Sequence, residues 1–322
     1  MSADTIQEQL VKYLADAHSI EEQALTQLRA APKIAGDERL AAAFAEHLGE
    51  TERQEEIIRG RLEAHGADPS KLKDLAGKAG GWGMVLFAKA QPDTPGKLTA
   101  HAFSYEHMEL AAYELLRHAA EAAGDAETAA AARTIAAEER RMAERLESRF
   151  DGAAQASLRD LDPEDLGEQL DSYLADAHAI EQQAAGLLEK GPGLVGDEAL
   201  AALFQEHLAE TRRHSEAVAA RLQARGADTS RVKDAALRLG ALNLGGFFGA
   251  QPDTTAKLSG FAYAFENLEV GAYELLKRVA ARAGDPETAE LADRILAEER
   301  AAAARIAAGW DRTMRLELAG RT

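Results

Sequence analysis

Cysteine is missing from all 322 residues. A disulfide framework, a thiolate metal site and a cysteine nucleophile are therefore excluded. Long apolar runs are missing too: the longest, around WGMVLFA, is far too short to span a bilayer. There is no basic surplus, and the formal net charge is −18. That argues against nonspecific nucleic-acid binding, which needs Lys and Arg to neutralise phosphates. It also argues against docking on an anionic membrane, and favours solubility and attraction of cations. The opening residues, MSADTIQEQL, carry neither a basic n-region nor an apolar h-region. No signal peptide is expected there, and a cytoplasmic location is. No Ser-His-Asp order, phosphate loop or dinucleotide fingerprint is visible, and Gly80-Gly81-Trp82-Gly83 reads as connecting loop.

What the chain does contain, it contains twice. YLADAHSIEEQ from Tyr13 returns as YLADAHAIEQQ from Tyr173, and EHLGETER from Glu46 as EHLAETRR from Glu206. QPDT, AYELL and AEER recur at the same shift of 160. One shift fits every block, so a whole domain is duplicated, and so long a period excludes a solenoid of short repeats. The expected organisation is a first bundle over 1–150, a linker DGAAQASLRDLD over 151–162, and a second bundle over 163–322.

Ala, Leu, Glu and Arg, all strong helix formers, dominate both copies. Four long helices are expected per copy. In the first copy they run from about Asp4 to Ala30, from an Asp37 N-cap to before Gly66, from about Pro95 to Ala123, and from an Asp125 N-cap to about Phe150. Gly284-Asp285-Pro286-Glu287 repeats the last start signal, with Asp as cap and Pro at the first helical position. The second-to-third connection is long and Gly-rich and is expected to hold a short helix and cross the bundle. Short turns with one long crossover describe a ferritin-like four-helix bundle. The expected fold is all-α: two such bundles in tandem.

The inward stripes carry acids. On the first helix Leu10, Leu14, Ala17, Glu21, Ala24 and Leu28 fall at steps of three and four, which is one helix face. Glu181 takes the same place in the second copy, while the neighbouring Glu22 drifts to Gln182. One turn before lie His18 and His178. The second helix offers His47 and Glu50, matched by His207 and Glu210. Gln54, His214 in the second copy, is expected outside the ligand set or exposed. The third helix offers Glu106 and Glu109, matched by Glu266 and Glu269, with Tyr113 and Tyr273 on the same stripe; His107 reads as surface. On the fourth helix Glu138 and Glu298 fit the stripe, with Glu139 and Glu299 beside them.

An isolated ionised carboxylate in an apolar interior is prohibitively costly and must be paired, protonated or metal-bound. Several acids converging without bases suit a pair of cations. Carboxylate with imidazole suits iron first and manganese second, and bridging Glu can hold two ions about 3.5–4 Å apart. The expected ligands are Glu21, His47, Glu50, Glu106, Glu109 and Glu138, and in the second copy Glu181, His207, Glu210, Glu266, Glu269 and Glu298. His18, Glu139, His178 and Glu299 stand behind them. The bundle template uses Glu-x-x-His on two helices. Here the second helix has the reverse order, His47-x-x-Glu50, and no His lies near Glu138.

The strings ADAHSIEEQ, EHLGET, YEHMELAAY and AEER, with ADAHAIEQQ, EHLAET, FENLEVGAY and AEER in the second copy, resemble the YciE/YciF-type bacterial stress-response proteins of the ferritin-like superfamily. The most specific of them is the third-helix string E-H-x-E-x-x-x-Y. The resemblance covers nearly all of both copies. It implies a rubrerythrin-like domain with a two-metal carboxylate site and a role in handling metal, oxygen or peroxide. A di-iron oxidase- or peroxidase-type activity is one expectation, and a metal-binding stress protein without turnover is another. Members are usually single-domain and tend to pair, so the tandem implies an intramolecular pseudo-dimer. A third reading is a metal-free scaffold whose inward acids are protonated or paired with Arg53, Arg213, Arg61 or Arg221.

Overall fold

A computed structural model describes residues 5–68, 95–227 and 254–319. The expected crossover helix, the Gly80–Gly83 stretch and, apart from Thr254, the QPDT blocks lie outside the described residues. The first copy consists of α1 (Ile6–Leu28), α2 (Ala31–Ile34), α3 (Glu38–Ala64), α4 (Pro95–Ala123), α5 (Ala126–Glu147) and α6 (Phe150–Leu158). The second consists of α7 (Leu166–Leu194), α8 (Glu198–Ala224), α9 (Thr254–Arg282), α10 (Pro286–Ala307) and α11 (Trp310–Leu318). No strand occurs among the described residues, so the chain is all-α, with two four-helix bundles in tandem. None of the described helices is long and apolar enough to cross a membrane.

The predicted punctuation is where the helices start and stop. Thr5 caps α1 and forms a reciprocal capping box with Glu8. Asp37, Asp125, Asp197 and Asp285 each accept a backbone N–H at the start of their helix. Gly66 and Gly124 end α3 and α4 at φ of 70° and 73°, a left-handed conformation that glycine adopts without Cβ strain. The stretch expected as linker differs: it is helical over Phe150–Leu158 and buries Phe150, Ala153, Ala154 and Leu158. Trp310 stands 160 residues after Phe150 and opens the corresponding α11, so each copy carries a short docking helix after its bundle.

Each bundle is layered. In the first copy Leu10, Leu14, Ile58, Leu62, Leu116 and Ile135 belong to one apolar cluster. Leu28, Leu40, Phe44, Phe103, Met142 and Leu146 belong to another. Glu21, His47, Glu106, Glu109 and Glu139 are buried between them along their helices. The order in which each helix meets the layers gives its direction: α1 and α5 run one way, α3 and α4 the other. α3 and α4 are therefore parallel, with α1 and α5 antiparallel to them. The second copy repeats this order, with its polar layer between the Phe204 and Leu174 ends.

The copies meet along α4 and α9. Ser104 Oγ donates to the Ala264 carbonyl at 2.8 Å, and these residues are counterparts under the 160 shift. Lys97 pairs with Asp176 at 2.6 Å, and its counterpart Lys257 pairs with Asp16 at 2.9 Å. A Cβ on Gly271 would stand 3.0 Å from that of Ala100, and one on Gly260 would stand 3.3 Å from that of Ala111, the reciprocal pair. His107 is half-buried rather than exposed, its ring 5.5 Å from that of Tyr263 across this contact.

A candidate metal centre in each copy

The layering brings one polar side chain after another to the same depth. In the first copy Glu21 comes from α1, His47 from α3, Glu106 and Glu109 from α4, and Glu139 from α5. One ligand-capable atom from each of His47, Glu106, Glu109 and Glu139 lies within 4.8 Å of the others. In the second copy His207, Glu266, Glu269 and Glu299 form the same group. There a further group, Glu181, His214 and Glu299, shares Glu299 with it.

Many of these atoms are close without being aligned. His207 Nε2 stands 2.7 Å from Glu266 Oε2, and His47 Nε2 stands 3.1 Å from Glu106 Oε2. Yet His207 Nε2, Glu266 Oε2 and both oxygens of Glu269 and Glu299 are buried with no aligned hydrogen-bond partner. In the first copy the same is true of His47 Nε2, Glu106 Oε2, Glu139 Oε2 and Glu21 Oε2. Native interiors satisfy buried polar atoms, so convergent unsatisfied atoms call for an explanation. A cation at the point of convergence supplies one, and oxygen donors with imidazole fit iron or manganese.

The outer partners of the histidines are also set. His47 Nδ1 faces Glu50 Oε2 at 3.1 Å, and His207 Nδ1 faces Glu210 Oε2 at 3.0 Å. A carboxylate on one ring nitrogen fixes the tautomer and aims the other nitrogen inward. Arg305 reaches Glu210 at 2.7 Å. Thr51 and Thr211 bond back to the carbonyls of His47 and His207, each at 3.0 Å. Tyr113 Oη donates to Glu21 Oε1, and Tyr273 Oη to Glu181 Oε1.

Burial and crowding of like charges control protonation. Burial first, then the Glu139 carboxylate, pushes Glu21 and Glu109 well above the usual carboxylate range. Burial and Glu299 do the same to Glu181 and Glu269. Burial raises Glu106 to about 8 and Glu266 to about 7, although His47 and His207 pull them down. Burial lowers the imidazoles, but their acids win: Glu106 raises His47, and Glu266 holds His207 at about 10. His214 stands at about 9, because Glu299 overcomes its burial. Without a cation the site therefore stores protons, which metal binding must release.

The expected ligand positions divide. Glu21, His47, Glu106 and Glu109, and Glu181, His207, Glu266 and Glu269, are buried together in the mid-layer. Glu50 and Glu210 sit on the far side of the imidazoles. On the fourth helix the phase differs by one residue. Glu139 and Glu299 are 0% exposed, whereas the Glu138 and Glu298 side chains are 25% and 48% exposed. The reason is the company on the face: Ala132, Ile135, Ala136, Met142 and Ala143 are buried with Glu139, which places Glu138 at the rim. His18 and His178 lie outside the clusters. His18 Nε2 pairs with Glu55 at 2.9 Å, and His178 meets Ser215 and Gln182 at 3.2 and 3.1 Å.

Gln54 and His214, expected outside the ligand set or exposed, are buried in the mid-layer rather than exposed: Gln54 bonds Glu138 and Glu139, and His214 joins Glu181 and Glu299. The spacing His207, Thr211, His214 held the signal, since steps of four and three keep one face. The arginines proposed as partners turn elsewhere. Arg61 and Arg221 bond Asp125 and Asp285 at their helix N-caps. Arg53 bonds the Gly49 carbonyl, and Arg213 lies 3.7 Å from the rim acid Glu298.

The class so defined is an all-α tandem of four-helix bundles with a buried carboxylate–histidine cluster in each. The chain belongs to the DUF892 family, described as a domain of unknown function, which matches it twice, over residues 5–159 and 165–319. No solved structure matches it.

Proposed function

We propose that each copy is a carboxylate–histidine metal site that takes iron, or manganese, and handles metal or oxidant in a stress response. The observation that carries this is the set of buried, unaligned donor atoms converging in both copies. The resemblance to YciE/YciF-type ferritin-like proteins supports it. The two copies act as an intramolecular pseudo-dimer, a reading supported by the reciprocal Lys97–Asp176 and Lys257–Asp16 contacts.

Metal bound in these sites supplies Lewis acidity and, as iron, electrons for dioxygen or peroxide. The chain's own residues do the rest. His47 and His207 present Nε2 inward because Glu50 and Glu210 hold Nδ1. Tyr113 and Tyr273 orient Glu21 and Glu181. The apolar layers above and below exclude water, which strengthens the electrostatic interactions inside. In the metal-free site Glu106 and Glu266, raised by burial to about 8 and 7, hold protons near neutrality that a bound metal would displace.

The test is reconstitution of chelated protein with Fe(II) or Mn(II), followed by elemental analysis. At least about one ion per copy is expected. Less than one per chain overturns the reading. Peroxide consumption by the iron-loaded protein then separates turnover from binding alone: a flat trace leaves a metal-binding protein without redox activity.

A further inference from the structure

The two clusters are not equivalent, and the difference lies at one position. His214 Nδ1 stands 2.7 Å from Glu299 Oε1 and 3.7 Å from Glu181 Oε1. Its Nε2 meets the rim acid Glu298 at 2.9 Å, which aims Nδ1 inward. His214 Nδ1 and Glu181 Oε2 are both buried without an aligned hydrogen-bond partner. This makes a second donor set beside that of His207, with Glu299 common to both.

In the first copy Gln54 occupies the same place. Its amide Nε2 donates to Glu139 Oε1 at 2.5 Å and to Glu138 Oε2 at 3.0 Å. Two carboxylates fix the amide with its nitrogen toward them, because turning it would set a carbonyl oxygen against both acids. Where the second copy turns an imidazole nitrogen to Glu299 Oε1, the first turns an amide N–H to Glu139 Oε1; an imidazole can shed its proton to bind a cation and an amide N–H cannot, while Gln54 Oε1 is buried without a partner. Among the described His, Asp and Glu side chains of the first copy, His47, Glu106, Glu109 and Glu139 form one group, and no imidazole joins Glu21 and Glu139 as His214 joins Glu181 and Glu299.

We propose that the copies have unequal metal capacity: one ion in the first, which His47, Glu106, Glu109 and Glu139 would hold, and two in the second, whose two donor sets share Glu299. This rests on the metal reading above, and departs from the expectation of matched dinuclear sites.

The experiment titrates the full, chelated chain with Mn(II) alone, and follows it by elemental analysis and electron paramagnetic resonance. About three ions per chain are expected, with an isolated-ion spectrum and a coupled-pair spectrum together. His214→Gln should bind about a third less metal and lose the coupled spectrum. Gln54→His should gain about a third and lose the isolated-ion spectrum. Circular dichroism checks folding, and Gln54→His decides if His214→Gln loses helicity. Wild-type protein with about four ions and only coupled spectra, or about two and only isolated ones, overturns the inference but leaves the metal reading standing. So does a folded Gln54→His chain with unchanged stoichiometry. Binding below one ion per chain overturns both.

Discussion

The two bundles share caps, layers and four cluster residues, yet differ in how their buried charge is balanced. The first buries Glu21, Glu106, Glu109 and Glu139 against one cluster imidazole, His47. The second buries Glu181, Glu266, Glu269 and Glu299 against two, His207 and His214. Their surroundings drift as well: Glu55 beside His18 becomes Ser215 beside His178. The backbone tolerates all of this because the apolar layers on either side carry the fold. The polar layer between them is then free to change its donors one side chain at a time. Gln54 and His214 are one such change: at the same depth, an amide N–H faces Glu139 in the first copy where an imidazole nitrogen faces Glu299 in the second.

The sharpest way to break the comparison is to remove the shared acid on the fourth helix. Glu299→Ala should lose about two ions per chain, because both donor sets of the second copy use that carboxylate. Glu139→Ala should lose about one. Elemental analysis of reconstituted protein gives the ratio, and equal losses would argue against a bridging Glu299.

Next come the outer carboxylates. Glu50→Gln and Glu210→Gln should weaken metal affinity by about 10–100-fold, since each holds the far nitrogen of a ligating imidazole. The loss should be greater at Glu210, which Arg305 fixes at 2.7 Å. A competition titration against a chelator of known affinity checks both.

A smaller effect separates the tyrosines in the metal-free protein. Tyr113→Phe strands a buried Glu21 oxygen and should cost about 1–3 kcal/mol in urea unfolding. Tyr273→Phe should cost less, because His214 Nδ1 remains 3.7 Å from Glu181.

The pH dependence is the mildest test. Glu106 and Glu266 rise from the usual 4.5 to about 8 and 7, so the metal-free native state binds protons that the unfolded chain has released. Stability from these groups is full below 4.5 and is lost as pH climbs through those values. Thermal midpoints of chelated protein should therefore fall between mildly acid and mildly alkaline pH. Loaded protein should show a flatter profile, because its carboxylates are already deprotonated by the metal.

Much of this was legible in the chain. The Asp caps and stop glycines marked the helix ends, and the 160 shift marked the duplication, because both are local chemistry. The stripes of the first three helices put Glu21, His47, Glu106 and Glu109 on the inward side, where they are buried, since apolar residues three and four apart bracket them. The fourth helix was harder. Ile135, Met142 and Leu146 accept either Glu138 or Glu139 between them, and the alanines that break the tie are too common on helices to carry a phase.

The amino-acid sequence alone determined an all-helical tandem with acids at mid-height, because periodicity and capping act over a few residues. It also determined that the chain itself brings no thiol. Only the tertiary structure decided which acid of each neighbouring pair turns inward, and that Glu50 and Glu210 stand behind their histidines. It alone showed Gln54 and His214 facing the same carboxylates. The last of these depends on groups 84 and 85 residues apart in the chain, Gln54 with Glu138 and Glu139. Helix periodicity does not reach that far; packing does.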